Sequence, residues 1–140
     1  MPKRNYKKNN TEFKVMNSVK SVHPVVERIA DNLSGIDEIR YIRIKPDLLE
    51  ASSEATTGRV KAPITKPDHP TAIGVSLILD FDYQQIQFYE MNSVKQGYGT
   101  KMVDAIMNGL PDEWKAVVVM DWSGGFWDKM AEKHERIMIL

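Results

Sequence analysis

The chain has 140 residues, 42% of them hydrophobic, which is enough for one domain with a proper core and too little for two. Lys plus Arg number 19 and Asp plus Glu also number 19, so no net field gathers a polyanion, and nucleic acid is disfavoured as a partner. Cysteine is absent, which excludes disulfides, thiolate metal sites and cysteine nucleophiles. No apolar run approaches the roughly 18 residues of a membrane helix, and Met1-Pro2-Lys3-Arg4 leads into polar residues rather than a signal-peptide core. A soluble, cytoplasmic protein with no membrane partner is expected.

Residues 1–10 carry Lys3, Arg4, Lys7 and Lys8 with almost nothing apolar to bury, and read as a flexible basic tail. Phe13 to Met16 alternates like a short strand. Ser21-Val22-His23-Pro24 reads as a helix start, and Val25, Val26, Ile29, Ala30 and Leu33 recur at helical spacing up to Ser34-Gly35. Tyr41 to Lys45 has a period of two, with Ile42 and Ile44 on one face. A short helix is expected over Leu48 to Ala55, followed by a long loop with Pro63, Pro67 and Pro70 that is either a substrate-side flap or disordered.

The second half is better patterned. Ala72 to Phe81 and Gln84 to Met91 are rich in strand formers and separated by Asp82-Tyr83, so they are expected to pair antiparallel. Thr100 to Leu110 places Met102, Val103, Ile106, Met107 and Leu110 on one helical stripe, closed by Gly109 and Pro111. Lys115 to Met120 reads as a buried strand. A helix from Gly124 or Gly125 to about His134 and a strand from Arg136 to Leu140 complete an α/β (α+β) pattern: a mixed, twisted, mainly antiparallel sheet of about six strands with three or four helices.

Between a strand and a helix lies Asn92-Ser93-Val94-Lys95-Gln96-Gly97-Tyr98-Gly99-Thr100. The first amides of a helix lack internal acceptors, the dipole favours negative charge there, and glycine lets backbone approach an anion closely. A phosphate-bearing ligand suits such a turn, although Gly-x-Gly also occurs in ordinary strand-to-helix turns. The P-loop is excluded by order, because Gly99-Thr100-Lys101 inverts Gly-Lys-Thr, and the Rossmann fingerprint lacks its third glycine at Met102.

From Ala72 to Leu140 the chain resembles the GNAT acetyltransferase superfamily, whose signature Q/R-x-x-G-x-G/A lies between a central strand and the following helix. Gly97 and Gly99 fall on its glycines, while Val94 stands at the Arg or Gln position and Trp127 where the family has a tyrosine. The resemblance implies one GNAT-like acyltransferase domain over residues 11–140, with acetyl-CoA (coenzyme A) as cofactor. Val94, Lys95, Gln96, Gly97, Tyr98, Gly99 and Thr100 would line the pyrophosphate. Tyr89 and Met91 would offer backbone groups to the pantetheine arm, and Trp127 would pack against cofactor or core. The family splays the strand containing Glu90 from the next one, and that slot takes the thioester.

The implied reaction is transfer of an acyl group to an amine on a small molecule or a protein. Such chemistry needs a proton acceptor and a proton donor. Glu90 and Asp121 are the candidate bases and Ser123 a candidate hydrogen-bond donor, each also readable as an ordinary polar residue at a strand end. His23, His69 and His134 have no metal-ligand spacing, so no metal is expected. The resemblance leaves a sheet edge that a homodimer partner would cover. Two other readings stay open: a non-catalytic domain binding acyl-CoA or a partner protein, and a small nucleic-acid-associated protein using its basic tail.

Overall fold

The computed structural model describes residues 11–59, 61–67, 69–93, 97–119 and 125–140. The basic tail lies outside them. In chain order the elements are β1 (Glu12–Val15), α1 (Pro24–Ser34), β2 (Tyr41–Ile44), β3 (Leu48–Ser52), β4 (Gly74–Asp80), β5 (Gln85–Asn92), α2 (Tyr98–Gly109), β6 (Lys115–Val118), α3 (Phe126–Lys133) and β7 (Ile137–Ile139). The seven strands form one mixed sheet whose spatial order is their sequence order. Pairing is antiparallel through β2, β3, β4 and β5 and parallel at both sides, where helices supply the crossovers β1 to β2, β5 to β6 and β6 to β7.

The expected α/β class with three helices is the observed one, with seven strands in place of six. The additional strand is β3, where a short helix over Leu48 to Ala55 was expected. Leu, Glu and Ala favour a helix there, but Leu48–Ser52 is laddered to β2 on one side and β4 on the other. Two turn bonds close its entry, from Lys45 N to Leu48 O (2.8 Å) and from Leu79 N to Asp47 O (2.9 Å). Tertiary pairing overrides a propensity worth only tenths of a kcal/mol per residue, roughly.

Register sorts the side chains onto two faces. Ile42, Ala51, Val75 and Met91 are cross-strand neighbours, as are Ile44, Leu49, Leu77 and Phe88. This face joins the apolar stripes of α1 and α2 in one buried cluster. Helix α1 starts on Pro24, with His23 Nδ1 accepting the Val25 amide at 3.1 Å as N-cap. Helices α1 and α2 approach closely at Gly109, where a Cβ would stand 3.1 Å from the Ile29 nitrogen. Asn32 Nδ2 donates to the Ala105 carbonyl at 3.0 Å across the same contact.

At its C-terminal end α2 presents carbonyls with no intrahelical partner. The guanidinium of Arg136 adds donors there and just beyond, to Met107 O (3.3 Å), which also accepts from Leu110 N, and to Leu110 O (3.1 Å), Pro111 O and Trp114 O. Helix α3 lies on the same sheet face, since Trp127 packs on Phe88 with ring centroids 4.7 Å apart. Among the described residues no helix is long and apolar enough to cross a membrane.

Asp104 of α2 fastens α3 to this layer, accepting from Lys133 Nζ at 2.6 Å and lying 2.7 Å from His134 Nε2. Burial acts to raise its pKa, but the hydrogen bonds and charges of Lys133 and His134 prevail and hold it below the usual carboxylate value. A carboxylate with a depressed folded pKa stabilises fully above its unfolded value, about 3.9, and the contribution vanishes as pH falls through the lower folded value. Asp104→Asn should therefore lower stability by up to about 1 kcal/mol near pH 7. Urea melts at several pH values test this, the variant and parent converging only as pH falls through the lowered folded value of Asp104.

Candidate functional site

The sheet opens at one end. Strands β5 and β6 pair in register from Gln85 with Lys115 to Gln87 with Val117. From there β5 continues to Asn92, paired among the described residues with β4 alone, while β6 continues to Val118 against β7. A bulge accompanies the parting: Leu77 faces Phe88 but Ser76 faces Glu90, so Tyr89 is an extra residue, 59% exposed. Bulges bend a strand and re-aim the side chains that follow.

Two helices begin at this end, and each is entered through a left-handed glycine. Gly97 (φ +92°) precedes α2 and Gly125 (φ +116°) precedes α3; as glycines, neither supplies a side-chain cap. A Cβ on Gly97 or Gly125 would touch nothing within 4 Å among the described residues, so the positive φ is what asks for glycine at both. Gly99 differs. A Cβ there would lie 3.2 Å from the ring of Phe126, the first residue of α3, so this glycine lets the two helix starts pack together. Lys101 Nζ sits 4.5 Å from the centroid of Tyr98, keeping a cation beside the first turn of α2. Thr100 is partly buried in that turn. Of the other expected residues, Val94, Lys95, Gln96, Asp121 and Ser123 lie outside the described residues. Trp127 is 7% exposed and held between Phe88 and Phe126.

Glu90 points away from the helices. On the helix-free face, register aligns Lys14, Arg43, Glu50, Ser76 and Glu90 in a row across five strands. Arg43 donates from Nε and Nη2 to Glu50 Oε1, both at 2.7 Å. The hydroxyl of Thr65 donates to Glu90 Oε1 at 2.8 Å. Composition conceals this row, because its members come from five separate strands and Glu50 lay within the expected helix.

Thr65 belongs to a strap that the chain lays over this face after β3. Ile64 N donates to Glu54 O (2.9 Å), Thr56 N donates to Ala62 O (2.8 Å), and Ala55 bridges Pro63. The strap crosses the sheet where β4 begins with Gly74. The long loop is thus in part an ordered cover beside Glu90. A separate shallow cavity of about 370 Å³, between His23 and Phe81, lies at the opposite end of the sheet and touches none of these residues.

No protein-family model, curated protein or solved structure matches the chain. The site therefore has to be read from its own geometry.

A Cβ at Gly74 would stand 2.5 Å from the Ile64 carbonyl oxygen and 3.0 Å from that of Ala51. Both are backbone atoms that cannot rotate away, so Gly74→Ala should lift the strap and cost about 1–3 kcal/mol. Limited trypsin digestion measures the effect, with cleavage after exposed Lys61 expected to accelerate in the variant relative to the parent.

Proposed function

We propose that the chain is an acetyl-CoA-dependent N-acyltransferase acting on an amine, with the turn at Gly97 as the diphosphate seat and Glu90 as the proton acceptor. The observation that carries this reading is the end of the β5–β6 ladder at Gln87 and Val117, beside two helix N-termini entered on glycine, which supplies no side-chain cap. Backbone amides of a first helical turn bind anions, and the dipole adds about half a positive charge. No described residue stands within 4 Å of a Cβ at Gly97, which leaves room for a phosphate there, whereas the Phe126 ring fills the space at Gly99. The fit therefore lies on the Gly97 side, with Lys101 available to balance charge.

Acetyl-CoA, when bound, supplies an acyl carbon activated as a thioester. The protein's part is to bind the diphosphate on the α2 amides and to present the pantetheine arm to β5, whose Tyr89–Met91 backbone faces the gap left by β6. Glu90, oriented by Thr65, accepts a proton from an incoming ammonium directly or through water. A second reading is favoured by Trp127. Buried against Phe88 at a position where the resembling family has a tyrosine, it has no acidic proton for the departing thiolate, which suits a domain that binds acyl-CoA without turnover.

Calorimetric titration with coenzyme A tests the shared premise, and thiol release from acetyl-CoA with a panel of amines separates the two readings. Gly97→Asn and Gly97→Asp are nearly isosteric, and both residues tolerate a left-handed N-cap. The Asp variant should lose coenzyme A affinity by at least about tenfold relative to Asn, because only its charge opposes phosphate. Equal affinities for the two variants would remove the diphosphate seat.

A further inference from the structure

The polar row on the helix-free face, from which the proposed transfer draws only Glu90, contains an orphan. The Ser76 hydroxyl is buried, with the residue 1% exposed, and has no hydrogen-bond partner among the described residues. A buried hydroxyl left unpaired costs about 1–3 kcal/mol, so its retention asks for a reason. Its neighbours supply one. Ser76 lies on the middle strand directly between Glu50 of β3 and Glu90 of β5. Strands repeat every ~4.8 Å, so the two carboxylate-bearing backbones stand about 10 Å apart, and the short serine between two long side chains forms the floor of a dip.

The rim of the dip is made by the chain itself. Thr65, 5% exposed, closes one side by donating to Glu90, and Gly74 lets the Ile64 backbone close the end toward the glycine turn. At the other end Ile78, two residues along β4 on the same face, gives a partly exposed apolar lip. The charge count is unbalanced. Arg43 answers Glu50 with two donors, whereas Glu90 has only the neutral Thr65 hydroxyl among the described residues. One formal negative charge is therefore left facing a hydroxyl that can accept.

We infer that the depression between Glu50, Ser76 and Glu90 is a binding site for a primary alkylammonium group. Such a group carries one positive charge and three N–H donors, matching two carboxylates and the Ser76 oxygen, and its alkyl chain leaves over Ile78. A metal ion is a poorer occupant, since no three His, Asp or Glu residues among those described are grouped to hold one. The site stands without the glycine turn, because amine binding needs neither coenzyme A nor transfer.

Isotope-labelled protein without coenzyme A, titrated with n-butylammonium chloride and with n-butyltrimethylammonium chloride, tests the inference through backbone amide NMR shifts. The primary amine should give saturable shifts centred on Glu50, Thr65, Ser76 and Glu90, and the quaternary amine, with equal charge and no donor, should not. Ser76→Ala should weaken primary-amine binding about tenfold while raising Tm, since it removes the unpaired hydroxyl; Glu90→Gln should weaken it further. Equal response to both amines, no saturable response, or unchanged affinity in a folded Ser76→Ala protein would each overturn the site. Loss of coenzyme A binding alone would leave it intact.

Discussion

The arrangement depends on one constraint: the apolar stripes of the helices are all spent on a single face of the sheet. Ile42, Leu49, Leu77 and Ile86 meet α1 and α2 there, and α3 joins them through Trp127. A seven-stranded sheet covered on one side must either wet its other face or cover it with irregular chain. This protein does both, keeping charged residues on that face and drawing the strap from β3 back across β4. The crossing is feasible because β4 opens with glycine, the one residue that leaves room for the Ile64 carbonyl.

The same packing sets the electrostatics at the open end. Because Gly99 admits the Phe126 ring, the first turns of α2 and α3 lie side by side, and two positive helix poles are held close together. Like poles in contact are unfavourable unless negative charge lies near them. Asp128, in the first turn of α3, provides some of that charge within the chain. An anion at the Gly97 turn would relieve the rest, which is why the glycine cap without a side-chain acceptor is informative there. A serine or aspartate cap would have satisfied the same amides internally.

Much of the architecture was legible in the sequence because helix periodicity and burial agree. The stripe in α1, the stripe in α2 and the hairpin from β4 to β5 were each visible as patterns of one period. Strand β3 was not, since Leu48, Leu49, Glu50 and Ala51 carry helix-favouring side chains, and their conformation is imposed by partners at remote positions. The polar row was invisible for the same reason: Arg43, Glu50, Ser76 and Glu90 become neighbours only once the registers of four strands are known. The glycine turn was legible as a motif, but the separate duties of Gly97 and Gly99, one open and one packed under an aromatic ring, needed the placement of α3.

Tyr89 acts as a parity device. In an unbroken strand Phe88 and Glu90 would share a face, yet here the phenylalanine enters the core and the carboxylate turns toward the strap, because one uncounted residue separates them. Were the ladder to run on through Tyr89 without the bulge, Glu90 would enter the apolar layer and Met91 would turn outward. The bulge, quite apart from the composition of β5, is thus what keeps its acidic group on the wet side.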